Sequence, residues 1–368
     1  MKNGFMKNGL MKNGPVKNKP IRILYGVQAT GNGHITRARV MQQALAQRNI
    51  EVDYVFSGRA KDKLFDMAQF GDYQVLRGLT FATEAGKINY AKTALEASLL
   101  TLWRDIKQLS LQHYDLVITD FEPVTAWAAR RAGVPCIGLG HQYAFQYAVP
   151  RAEDNWVASM VMRWFAPASI ALGAHWHHFN APILPPLIHV AAPERPVQPE
   201  QVLVYLPFED PNTILQLLAP IKDYQFHFFS DGLKAGQYGQ IQVHPFGRES
   251  FQLQLQSAAS VLCNAGFELA SEALHLGKRI LVKPVFGQME QASNALALSQ
   301  LGYGQACRQL STERIAQWLA TAPVVQVVYP DVAAAVADWL HAGNWQQPEA
   351  LCQSLWQQVQ VKHCDVVN

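Results

Sequence analysis

The sequence predicts an α/β protein built as two domains whose parallel sheets face a shared cleft. Three observations carry this. Ile21 to Val27 is a near-continuous apolar run that meets a glycine turn at Gly31 and Gly33, and a helical pattern follows. Val261 to Gly302 reads strand, helix, strand, helix, with its polar residues gathered where the strands end. Between these units, residues 181–200 hold six prolines in twenty positions, a stiff linker composition that divides the chain near its middle. Each half therefore carries a Rossmann-like pattern of buried strand, turn and helix.

Length and composition set the frame. With 368 residues and 49% hydrophobic content, two cores of ordinary size can form without staples. Cys136, Cys263, Cys307, Cys352 and Cys364 are widely spaced and form no CxxC, so no disulfide framework or zinc site is indicated and a reducing cytosol fits. Residues 1–20 are a five-residue repeat in four copies, MKNGF, MKNGL, MKNGP and VKNKP. One apolar residue per unit cannot offset the entropy of ordering, so a disordered tail is expected, and no signal-peptide stretch is present. The tail holds five lysines and no acid, so the formal +3 of the whole chain leaves −2 on the remainder. A nucleic-acid partner is disfavoured.

The first domain is expected over residues 21–180. After its opening strand, Ile35 to Arg48 shows helical spacing in Ile35, Ala38, Met41, Ala44 and Leu45. Gly31 and Gly33 complete only part of a GxGxxG, and Asp53 begins the next strand candidate, Asp53 to Phe56, rather than ending it. A dehydrogenase is therefore disfavoured. His34 opens the helix, where the macrodipole disfavours added positive charge; a neutral imidazole there can accept a proton, or merely cap the turn.

Residues 58–92 give little pattern, and Tyr90 to Gln112 reads as a long helix. Tyr114 to Thr119 is the next buried strand, with Asp120 and Glu122 at its carboxyl end and Pro123 opening a helix. Both acids are candidates for the cleft, and equally for helix N-terminal charges. Cys136 to Leu139 follows, and His141 and Gln142 close that strand facing the expected cleft. Val157 to Trp176 is apolar for twenty residues, but Arg163 at a bilayer centre would cost about 2.5 kcal/mol or more, and Pro167 would break the helix. We expect a helix to Ala166 and a strand over Ile170 to Gly173, leaving residues 156–176 either in the core or as an exposed face against a membrane surface. His175, His177 and His178 alternate faces on an extended chain, so no metal site is expected.

The second domain is expected over residues 201–345. Strands are expected at Gln201 to Leu206, Tyr224 to Ser230 and Ile241 to Pro245, with a flexible turn over Asp231 to Gln240 and a helix over Arg248 to Ser257. Val261 to Cys263 then stops at Asn264, Ala265 and Gly266, a helix carries Ser271 and Glu272, and Gly277 ends it. Arg279 to Val282 leads through Pro284 to a loop with Gln288, Glu290 and Gln291, and another helix opens near Ala292. Ser311 is a good N-cap. Val332 to Leu340 and Pro348 to Val359 are expected to close the chain as helices, residues 346–368 forming a C-terminal helix.

Ala265-Gly266, Ser271-Glu272, Pro284, and Glu290-Gln291 before Asn294-Ala295 form a pattern that resembles the donor half of the GT-B glycosyltransferases. It is similar to the peptidoglycan N-acetylglucosaminyltransferases that make lipid II and to uncharacterised archaeal and bacterial relatives. The Gly33-His34 turn resembles the N-terminal loop of the same group. The resemblance implies that His34 is the base and that Asp120 orients it. It implies that Glu272 holds the ribose hydroxyls and that Gly266 lets the backbone approach the diphosphate, with Gly31, Gly33, Asn264, Ala265 and Ser271 also on the donor-binding side. The backbone at Phe246 would read the base edge, Glu290 and Gln291 would touch the donor sugar, and Gln288 would also be donor-binding. Glu122, His141 and Gln142 fall on the acceptor side.

The implied activity is inverting transfer from a nucleotide-diphosphate sugar, UDP-sugar foremost, to a hydroxyl acceptor of lipid-linked or cell-envelope type. UDP-sugar would be a co-substrate, with no cofactor. No DxD triplet occurs, so no metal is implied; helix N-termini would neutralise the diphosphate. The expected place is the cytoplasm or the inner membrane face, with peripheral contact through residues 156–176. The alternatives are a sugar-nucleotide epimerase of the same fold and a nucleotide-sugar binding protein without turnover.

Overall fold

The computed structural model describes residues 19–79, 83–84, 87–88, 99–154, 156–190, 195–343 and 345–364. Most of the expected repeat tail, and the start of the helix expected from Tyr90, lie outside them.

The first half runs β1 (Ile21–Gln28), α1 (Asn32–Ala46), β2 (Ile50–Ser57), β3 (Tyr73–Leu76), a small hairpin β4 (Thr83–Glu84) and β5 (Lys87–Ile88), α2 (Leu99–Gln108), β6 (Leu116–Asp120), α3 (Pro123–Ala132), β7 (Cys136–Gly140), α4 (Trp156–Trp164) and β8 (Ile170–Gly173). The sheet order is β3-β2-β1-β6-β7-β8, every pairing parallel. Helices cover both faces of such a sheet, which is why Ile23, Leu24, Tyr25 and Val27 are all buried. α3 approaches β1 so closely that a Cβ on Gly26 would lie 1.9 Å from Thr125 Oγ1. Strand order reverses between β1 and β6, where Val27 pairs with Asp120, and this switch point places the glycine turn beside Asp120.

The second half runs β9 (Gln198–Tyr205), α5 (Pro211–Leu218), β10 (Gln225–Phe229), β11 (Gly236–Tyr238), β12 (Ile241–His244), α6 (Arg248–Ser257), β13 (Ala258–Asn264), α7 (Phe267–His275), β14 (Arg279–Lys283), α8 (Met289–Gln300), β15 (Gln305–Ala306), α9 (Thr312–Thr321), β16 (Val324–Val328), α10 (Val332–Ala342), α11 (Pro348–Trp356) and β17 (Gln360–Cys364). Its sheet is ordered β11-β12-β10-β9-β13-β14-β15 and is parallel except for β11. The switch point lies between β9 and β13. The two Rossmann-like sheets match the expected fold class.

Three segments differ from expectation. The Asp231 to Gln240 turn contains β11, which pairs antiparallel with β12. The chain does not close as a helix to Val359: α11 stops at Trp356, and β17 pairs antiparallel with β16, a partner far away in sequence. The proline-rich stretch is not a free spacer at its start, because Ile183, Leu184, Leu187 and Ile188 are buried and Leu184 bridges to Ala174.

The halves are joined by packing as well as by chain. One apolar cluster runs from Ile23 and Ile118 through Trp176 to Phe267 and Val282. Arg48, just beyond the end of α1, donates to Asp338 Oδ1 at 2.9 Å and to the Ala334 carbonyl at 3.0 Å, both on α10. Trp356 of α11 donates to the Ile183 carbonyl at 2.6 Å. Among the described residues no helix is long and apolar enough to cross a membrane.

Candidate active site

β1 delivers the chain to Gly31, the residue that caps α1 in extended conformation, and the first turn of that helix carries His34. β6 ends on Asp120, which is fully buried. His34 Nδ1 lies 2.7 Å from Asp120 Oδ1. An ionised carboxylate only accepts, so Nδ1–H donates to it, and in the neutral imidazole Nε2 then carries the lone pair. Nε2 has no hydrogen-bond partner among the described residues, and the side chain keeps 14% of its surface exposed.

Arg37, one turn beyond His34 on the same face of α1, completes the cluster. Its Nε donates to Asp120 Oδ2 at 2.8 Å and its Nη2 to Oδ1 at 2.5 Å, a bidentate grip, while Nη2 also lies 3.1 Å from His34 Nδ1. Burial alone would raise the Asp120 carboxyl, but Arg37 and then His34 more than offset it and hold it below the usual range. Arg37 Nη1 also donates to Glu268 Oε1, which belongs to α7 of the other half. Burial pushes the Glu268 carboxyl up to about 8, the nearby Arg37 notwithstanding.

Backbone geometry packs this cluster tightly. Phe121 sits at φ 53, a left-handed conformation costing a bulky residue about 1–2 kcal/mol, and it turns the chain between Asp120 and Glu122. Gly140, at φ 156, leaves room that a Cβ would fill, 2.9 Å from both Arg37 Nη2 and Asp120 Oδ1.

In the other half, α7 begins after Gly266, which is extended, makes no side-chain cap and has open space where a Cβ would point. Asn264, at the end of β13, donates to the Lys283 carbonyl at 3.0 Å, and its buried Oδ1 has no hydrogen-bond partner among the described residues. Glu272 lies further along α7, accepts from Gln252 Nε2 at 3.0 Å, and lines a recess of about 30 Å³ with His189, Gln252, Gln256 and Leu276. Burial raises its carboxyl, partly offset by the bond from Gln252. Phe246 is partly buried in the loop after β12, its ring 5.8 Å from that of Tyr205. Gln288 stands at the N-cap position of α8 without a side-chain cap, and Glu290 in the first turn accepts from Gln142 Nε2 at 3.0 Å across the junction.

Several expected site residues are placed elsewhere by packing. Glu122 is not on an acceptor surface: it is fully buried, caps α3 by accepting from Val124 N at 2.8 Å and Thr125 N at 2.7 Å, and accepts from Ser57 Oγ. Ser271 is also fully buried, donating to the Phe267 carbonyl and accepting the Trp176 indole N–H at 2.8 Å, so it joins the halves and does not reach a donor. His141 does not face open cleft; it stacks on Phe267 at 4.0 Å and bridges the Ala174 carbonyl to Asn294 Oδ1. Gln291 turns inward to accept from Val285 N at 3.0 Å, and Ala265 is buried, its carbonyl accepting from Asn294.

Sequence reasoning missed Arg37, Glu268 and Gly140. The i, i+3 spacing of His34 and Arg37 was a usable signal for the first. His175, His177 and His178 belong to no group of three or more candidate metal ligands among the described residues.

The glycosyl transferase family 1 profile matches residues 21–323. No curated protein matches the chain by sequence. Among solved structures, the spinosyn rhamnosyltransferase SpnG superposes with a TM-score of 0.59 at 15% identity, over 91% of this chain and 100% of that one. LpCGTa, solved in complex with UDP, gives 0.56 at 14% identity, over 92% and 98%. MurG of Acinetobacter baumannii gives 0.49 at 16% identity, over 93% and 96%, too slight a likeness to favour that branch. These likenesses speak to the fold, which is that of GT-B glycosyltransferases.

Proposed function

From the premise that this chain belongs to glycosyl transferase family 1, we propose that it moves a sugar, with inversion, from a nucleotide-diphosphate donor to a hydroxyl acceptor. Family membership makes it a glycosyltransferase; the donor, the stereochemical course and the acceptor are the proposal. The observation that carries it is the His34 to Asp120 bond, which leaves His34 Nε2 without a hydrogen-bond partner among the described residues, beside the glycine turn.

In the proposed step the acceptor O–H gives its proton to His34 Nε2 as its oxygen attacks the anomeric carbon. The bond from that carbon to the diphosphate breaks, and the nucleoside diphosphate leaves with the electron pair. A single in-line displacement inverts the anomeric centre. Asp120 stabilises the imidazolium that forms. The uncapped start of α7 at Gly266 would offer backbone N–H groups to the diphosphate, Glu272 would take the ribose and Glu290 the sugar. UDP is the favoured nucleotide because a relative of this fold was solved with it.

A lipid-linked acceptor is supported by α4, where Trp156, Met160 and Trp164 are 75%, 53% and 43% exposed and Arg130 and Arg163 lie over the Trp164 ring. Such a face suits peripheral membrane contact and an acceptor of the cell envelope. Co-sedimentation with anionic liposomes, lost in a Trp156→Ala, Trp164→Ala variant, tests that part. A thermal-stabilisation screen with UDP-, GDP- and dTDP-sugars tests the donor: stabilisation by one nucleotide class supports the reading, and none by any contradicts it.

A further inference from the structure

Arg37 is one cation set between two buried acids. Its Nε and Nη2 meet both oxygens of Asp120, and its Nη1 donates to Glu268 Oε1. Asp120 alone balances the guanidinium, so an ionised Glu268 leaves an uncompensated negative charge where charge is expensive. The other titratable groups facing it are His34 on α1, Tyr25 on β1 and Glu272 further along α7. Of these only His34 can supply a positive charge.

Glu268 is also incompletely bonded. Its Oε2 is buried with no hydrogen-bond partner among the described residues. As a bare carboxylate oxygen it would be an orphaned acceptor; as O–H it is a donor in need of an acceptor. Position supplies one. Glu268 is the second residue of α7, just past the uncapped Gly266, and its Cγ would be 3.0 Å from a Cβ on Gly33. It therefore stands between the glycine turns that open α1 and α7, where the phosphates of the proposed donor would lie. A carboxylate there repels a diphosphate, whereas a carboxylic acid hydrogen-bonds to it.

We propose that Glu268 receives the donor as a neutral acid, donating its Oε2–H to a diphosphate oxygen, so that this proton gates donor affinity. The proposal rests on the nucleotide-diphosphate reading above. Burial, incompletely offset by Arg37, pushes the carboxyl up to about 8 and so keeps the proton in place at neutral pH.

Calorimetric titration of the full chain with UDP, GDP and dTDP, each against its nucleoside, from pH 7.0 to 8.8 tests this. One-proton linkage with a midpoint near 8 lowers the wild-type affinity for the diphosphate about sevenfold over that range, leaves nucleoside affinity flat, and makes the Glu268→Gln profile flat. Wild-type titrations at pH 8.5 in two buffers of different ionisation enthalpy read the linkage without any variant. Uptake of most of one proton on binding supports the role, and uptake of none overturns it. Diphosphate binding that ignores pH removes Glu268 from the donor site and leaves the donor class standing. No binding of any nucleotide overturns both.

Discussion

His34 and Asp120 stand 2.7 Å apart although 86 residues separate them in the chain. β1 and β6 are parallel neighbours, and the turn that follows β1 meets the last residue of β6 at the switch point of the first sheet. The pairing fixes the tautomer of His34 and aims its free nitrogen away from the carboxylate. Replacing His34 by Ala should lower turnover by about 10²–10⁴-fold, and Asp120→Asn should cost a similar factor by favouring the wrong tautomer. Donor affinity should stay nearly unchanged in His34→Ala. Steady-state kinetics beside direct donor binding separate the two effects; a parallel loss of binding and turnover would point to a structural role.

Glu272 should act on binding. On the proposed assignment, Glu272→Ala would remove a partner for the ribose worth about 1–3 kcal/mol, so donor Kd should rise about 10–100-fold with the fold intact. An unchanged Kd would place the ribose elsewhere.

Ser271 should do the opposite. Its hydroxyl is spent on the Phe267 carbonyl and the Trp176 indole, so Ser271→Ala should cost about 1–3 kcal/mol in urea unfolding by orphaning the indole N–H. Trp176→Phe should cost a comparable amount. Donor Kd should shift by no more than about twofold in Ser271→Ala; a larger shift would return Ser271 to the donor site.

Glu268 should give stability a pH slope. Its folded-state carboxyl is raised from 4.5 to about 8, so below 4.5 it is protonated in both states and contributes no penalty. As pH rises between those values the unfolded chain alone releases the proton, and stability falls by up to about 1.4 kcal/mol per unit before levelling above 8. Urea midpoints at pH 5, 6.5 and 8 should show a shallower decline in Glu268→Gln than in wild type. Equal declines would mean that Glu268 is ionised in the native protein.

The alternation of apolar runs and glycine turns made both sheets legible, because a strand buried on two faces announces itself locally. The same locality explains the misses. β17 pairs with β16 across a stretch holding two helices, and nothing in Gln360 to Cys364 names that partner. Glu122 satisfied two readings at once, a cleft acid and a helix cap, and only the burial beneath Ser57 and Thr125 decides for the cap. Ser271 fitted a donor pattern, yet its partner Trp176 lies 95 residues away in the other half. Arg37 was within reach of sequence reasoning, one helical turn from His34, whereas its second acid, Glu268, became visible only once the two glycine turns were brought together.

The most direct measurement follows the anomeric proton of a sugar released from an α-linked UDP-sugar, by time-resolved NMR with water as acceptor. Wild-type protein should release the β-anomer first, and His34→Ala should release almost none while still binding UDP. Release of the α-anomer, or undiminished release by His34→Ala, would contradict the assignment of His34 as the group that takes the acceptor's proton.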